Sequence, residues 1–137
     1  MKVVRLVLLA FLAFAWPAAV SAQNADIVVR GDVARNEIER ILEADNVDTS
    51  RLSASEVADA ISAIDRGRAP EDFWVAYTAH VRAWERLAQA EGGLRRRPDE
   101  IAQAEQAIEA SFDEVERIAR AYRARLPMPP WAILPTI

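Results

Sequence analysis

The sequence predicts an all-α protein: a long two-helix antiparallel hairpin with two shorter helices packed on it, followed by a proline-rich C-terminal tail. Three observations predict it. Apolar residues recur at helical spacing in four stretches, and Gly67, Gly92, Gly93, Pro70 and Pro98 punctuate them. The one strand-like stretch, Ile27 to Val29, has no second strand to pair with. There is no cysteine among the 137 residues, so disulfides and thiolate metal sites are excluded and packed apolar side chains must hold the fold.

The chain begins "MKVVRLVLLAFLAFAWPAAVSA". Lys2 and Arg5 give a basic start, and the apolar run from Leu6 to Trp16 is short for a membrane span. Pro17 follows, and Val20 and Ala22 suit signal peptidase. This pattern predicts a secretory signal over residues 1–22, cleaved before Gln23, and a protein exported across the inner membrane, to the periplasm in a Gram-negative host. Removing 22 of the 137 residues leaves 115, which suits a single helical domain over 23–126 with an apolar tail over 127–137. No integral membrane segment is expected after cleavage. The remaining 15 arginines face 21 carboxylates, and the resulting net charge of −6 argues against nucleic acid or anionic lipid as partner.

Each helix has its own signals. The first is expected from Val33 to Ala44, capped by Asp32, with Ala34, Ile38, Ile41 and Leu42 on one face. The second is expected from Ala54 to Arg66, with Val57, Ala60, Ile61 and Ile64 inward and Gly67 as its left-handed stop. The third starts at Pro70, where a fixed φ is favourable, and ends before Gly92. The fourth is expected to be the longest, from Pro98 to about Arg125, with Ile101, Ile108, Val115 and Tyr122 at every seventh position. Acids fill its first half and arginines its last, which suits the helix dipole; Asp113–Arg117 and Glu116–Arg120 have the favourable order. The ending "LPMPPWAILPTI" carries too many prolines for a helix.

Most aromatic residues of the exported chain lie in "PEDFWVAYTAHVRAWERLAQAE", residues 70–91, with its one histidine, His80. At 100° per residue, Phe73, Tyr77, His80, Val81, Trp84 and Leu87 share a face, Trp74 sits on its flank and Val75 nearly opposite. The reading favoured by this pattern is a packed face, with His80 neutral and hydrogen-bonded to a carboxylate or carbonyl. The sharper reading is a small-ligand, haem or metal site centred on His80, Tyr77 and Trp84. No cofactor is expected.

Residues 45–56, "DNVDTSRLSASE", resemble a degenerate calcium-binding EF-hand loop. The resemblance implies Asp45 as first ligand and Glu56 as the bidentate twelfth, between two helices. Val47 stands where that family needs an oxygen ligand, and Ser50 replaces its turn glycine. A local device covers the same residues: Ser53 and Glu56 form a capping box, with Leu52 and Val57 as its hydrophobic staple. The Arg30-Gly31-Asp32 tripeptide and the basic turn at Arg95–Arg97 read as a cap and a solvated connection.

The function classes narrow accordingly. Cysteine nucleophiles are excluded, and neither a strand-borne serine elbow nor a glycine-rich phosphate loop is present. The expectation is a small exported helical protein that is not an enzyme and acts by protein–protein or self-association, as a homodimer or with another exported protein. Trp74, Trp131, Ile133 and Leu134 are its candidate contact residues. The alternative is a periplasmic carrier of a small ligand, haem or metal.

Overall fold

A computed structural model describes residues 19–95 and 97–130. They form four helices and no strand among the described residues: α1 (Ala19–Asp45), α2 (Ala54–Ser62), α3 (Glu71–Gly92) and α4 (Pro98–Ala121). The all-α class expected from the sequence is observed, and the α3–α4 contact is the largest between any two helices. Among the described residues, no helix is long and apolar enough to cross a membrane. The expected signal segment lies mostly, and Trp131, Ile133 and Leu134 entirely, outside the described residues.

Several expectations are corrected. α1 has 27 residues and is longer than α4, which has 24. The strand-like Ile27–Val29 stretch is helical, and Asp32 lies within α1, paired with Arg35 at 2.8 Å, rather than capping it. With no neighbouring strand, intrahelical bonding satisfies that backbone. Ile27 and Val29 are accordingly exposed, and the packed part of α1 is its second half, where Ile38, Ile41 and Leu42 are buried. α2 stops at Ser62, four residues before Arg66, and turns Ala58 inward while Ala60 faces out. Gly67 does hold a left-handed φ of 53°, but in the turn after α2. A Cβ there would meet only the ends of the Glu37 and Arg40 side chains, which can shift, so it is the left-handed turn that requires glycine at 67.

α4 ends earlier than its charge pattern suggests. Arg123 takes φ 59°, Ala124 N–H donates to Ala119 O at 3.0 Å, and Arg123 N–H donates to Arg120 O at 2.9 Å. This is a Schellman stop built on an arginine where glycine is usual. Glu116–Arg120 pair as expected at 2.7 Å, whereas Arg117 pairs with Glu114 at 2.6 Å instead of Asp113.

The core gathers Ile38, Ile41 and Leu42 of α1, Val57 and Ile61 of α2, Phe73 and Tyr77 of α3, and Val115 and Ala119 of α4. Burying each of the larger side chains contributes roughly 1.5–3 kcal/mol. Polar ties fix the periphery. Tyr122 O–H donates to Asp72 Oδ1 at 3.0 Å, joining the end of α4 to the start of α3. Glu39 of α1 accepts from Arg125 N–H at 2.9 Å, which with the Arg125 side chain holds its carboxyl below the ordinary range. Asn46 Nδ2 donates to Met128 O at 2.9 Å, tying the chain leaving α4 to the loop after α1.

Candidate functional site

Where the end of α1, the following loop, α2, α3 and α4 meet, a cleft of about 220 Å³ remains. Leu42, Val57, Ile61, Ile108 and Phe112 give it apolar walls, with Pro127 at its edge. His80 and Trp84 enter from α3. Asp45, Asn46, Val47 and Thr49 line it from α1 and its loop. A larger depression of about 710 Å³ lies at the α3–α4 connection. Its walls are mostly exposed side chains such as Arg86, Leu94 and Arg95, with no buried titratable group among the described residues. The smaller cleft is the one with chemistry.

His80 is 4% exposed, yet its polar atoms are engaged. Trp84 Nε1–H donates to its Nε2 at 3.3 Å, so the ring proton sits on Nδ1 and is directed at Ser111 Oγ, 3.0 Å away. Ser111 in turn donates to Ile108 O at 3.0 Å. Burial lowers the His80 pKa from 6.5 to about 4, against a smaller opposing effect of the Ile108 backbone, so the ring is neutral at pH 7. The ring nitrogens thus meet a hydroxyl and an indole, and the expected carbonyl is the Ile108 backbone, whose hydrogen bond opposes the effect of burial. The His80 and Phe112 rings lie 5.2 Å apart at 45°.

Asp45 is the site's charge. Tyr77 O–H donates to its Oδ1 at 3.0 Å, and the same hydroxyl lies 3.3 Å from Ile61 O. Burial raises the Asp45 pKa from 3.8 to about 6, and the Tyr77 hydrogen bond offsets only part of this. Burial, with Asp45 beside it, pushes the Tyr77 phenol far above its ordinary range. Oδ2 of Asp45 accepts no hydrogen bond among the described residues, and no fully buried polar atom is left without a partner there. Oδ2 is therefore not fully buried, and Asp45 is one of the residues that line the cleft.

The other candidates fall in different places. Tyr77 is 1% exposed and stands behind the cleft, stacked on Phe73 with centroids 6.1 Å apart and on Trp74 at 5.6 Å. Trp84, expected in the core, is half-buried and forms a cleft wall. Trp74 is half-buried on the α2–α3 side, among Ile61, Ile64 and Thr78.

Asp45 and Glu56, paired by the EF-hand resemblance, do different work. Glu56 Oε2 accepts from Ser53 N–H at 2.8 Å, and Glu56 N–H donates to Ser53 Oγ at 3.2 Å, completing the capping box. Among the described residues, no three His, Asp or Glu side chains gather into a group that could hold a metal ion.

Ser111 and Asn46 were not singled out by sequence reasoning. The signal for Asp45 as a cleft residue was present, since it continues the Ile38, Ile41, Leu42 face of α1 by one further turn.

No family model, curated protein or solved structure matches the chain. Fold and site by themselves define an all-α protein with a partly open aromatic cleft bearing one carboxylate.

Proposed function

We propose that the chain is an exported, non-catalytic binding protein that holds a small ligand in the cleft beside His80, Trp84 and Asp45. The observation that carries this reading is Asp45. A carboxyl raised by burial to about 6 destabilises the fold at neutral pH, yet among the described residues no cation or donor beyond Tyr77 offsets it. Costly ionised groups facing a cavity concentrate at functional sites. The haem and metal versions of a His80 site are set aside because both ring nitrogens are already hydrogen-bonded. The same engagement supports a non-catalytic role, since His80 has no free nitrogen for proton transfer.

The finer architecture belongs to this proposal. We read α3 and α4 as an antiparallel hairpin, supported by the Tyr122–Asp72 bond between the end of one and the start of the other. We read the start of the proline-rich tail, Pro127 to Pro130, as lying at the cleft edge, supported by the Asn46–Met128 tie and by Pro127 in the cleft wall. Export rests on the signal-like first 22 residues, and N-terminal sequencing of the secreted protein should return Gln23 first.

The test is a fragment screen by NMR on the purified exported protein, following the Trp84 indole N–H. Binding that shifts this resonance together with Phe112 and Thr49 supports the reading. If no fragment moves them, the cleft is a packing defect. Self-association is the second reading, through the α3–α4 face rather than through Trp74 or the tail. The 58% exposed Val75, beside Ala79, Ile118 and Ala121 on the α3–α4 face, favours it. Light scattering showing a dimer that Val75→Glu dissociates would support it over the first.

A further inference from the structure

Among the described residues, Asp45 is the one carboxylate that lines the cleft, and no lysine or arginine lines it. Asp45 brings its carboxylate, and Asn46, one of whose two amide hydrogens is on Met128 O, brings a side-chain oxygen and a second N–H. Thr49 adds a hydroxyl. The two ring N–H donors at the wall point elsewhere: Trp84 N–H donates to His80, and the His80 ring proton is directed at Ser111. The remaining surface is aliphatic or aromatic, with the Trp84 and Phe112 rings available to a ligand. A carboxylate ligand would meet repulsion from Asp45 and find no cation to receive it. A protonated amine would gain a charge-assisted hydrogen bond to Asp45 and a favourable electrostatic contact with the rings.

We propose that the cleft selects a small organic cation, a primary alkylammonium of a few carbons, with its charge on Asp45 Oδ2 and its chain against Trp84, Phe112 and Ile108. This inference rests on the small-ligand reading above and adds the ligand's charge and class. A volume of about 220 Å³ suits a short chain or a single ring.

The experiment compares three probes of one skeleton on the exported protein: hexylammonium chloride, hexanol and sodium hexanoate. Binding is followed by NMR titration of the Trp84 indole N–H at pH 7.5. Hexylammonium should bind about tenfold more tightly than hexanol or better, a difference of about 1.4 kcal/mol, and hexanoate should bind more weakly than hexanol. Asp45→Asn should abolish the preference for the cation while leaving the hexanol affinity within about twofold. Equal affinities for cation and alcohol, or a preference for hexanoate, would overturn the cation proposal and leave the ligand cleft standing. An Asp45→Asn protein that still prefers the cation would overturn it in the same way. If none of the three probes moves the cleft resonances up to its solubility limit, both the cation proposal and the cleft reading fall.

Discussion

Replacing Asp45 by asparagine keeps the size and the acceptor that Tyr77 needs but removes the buried charge. In the wild type, burial raises the Asp45 pKa from 3.8 to about 6. The folded state therefore keeps a proton that the unfolded chain has already lost. The stabilisation that comes with this proton is fully present below pH 3.8 and is lost as pH rises through about 6. A gap of about two pH units corresponds to roughly 2–3 kcal/mol of wild-type stability lost by pH 7.5. Asparagine does not titrate, so Asp45→Asn should be more stable than wild type at pH 7.5 by about that amount. The advantage should shrink through the pH 6–4 window and level off below it. Urea unfolding of both proteins at half-unit steps from pH 3.5 to 7.5 measures this directly. The other titrating groups, including His80 and the lowered Glu39 and Glu56, are common to both proteins and cancel in the difference. Of the groups packed around Asp45, Tyr77 is a phenol raised out of range and His80 is neutral above about 5, so neither distorts the curve near pH 6. A pH-independent difference, or an asparagine variant less stable at pH 7.5 than at pH 4 relative to wild type, would refute the claim that Asp45 is a buried, uncompensated carboxylate.

His80 should show no imidazole titration by NMR between pH 8 and 5, because its pKa is lowered to about 4; its contribution to stability, full above 6.5, should fall away as pH drops from 6.5 to about 4. Trp84→Phe keeps most of the wall but removes the donor to Nε2, so it should cost about 1 kcal/mol in chemical denaturation and raise the His80 pKa. Gly67→Ala should destabilise by about 1–3 kcal/mol, since it strains a left-handed turn; a thermal melt unchanged from wild type would place that turn differently. Arg123→Gly should stabilise by about 0.5–1 kcal/mol in the same assay, because φ 59° suits glycine at the α4 stop. Ser53→Ala should cost about 1 kcal/mol through the α2 cap, and millimolar calcium should leave the melting curve of the wild type in place.

The helical class and the faces of α3 and α4 were written into residue order. Periodic apolar positions such as Phe73, Tyr77, Val81, Val115 and Ile118 are buried as their spacing requires, because an α-helix turns its own sequence into a fixed pattern of faces. The Ser53–Glu56 cap was equally legible, since it involves only neighbours in the chain. Helix ends were harder. The stop after Ala121 depends on an arginine adopting a left-handed backbone, and the early end of α2 shows no glycine or proline at Ala63. The site was legible in its parts and not in its assembly. His80 and Trp84 were marked by residue type, but only packing shows that each satisfies the other and that Ser111, 31 positions away, takes the remaining ring nitrogen. Asp45 looked like half of a calcium loop with Glu56. Tertiary structure separated them, burying Asp45 against Tyr77, 32 residues downstream, and leaving Glu56 on its own helix. Local order determined which faces were apolar and which ends were capped. What those faces enclosed was decided by contacts between distant segments, because burial and the charge state it imposes are properties of the assembled interior.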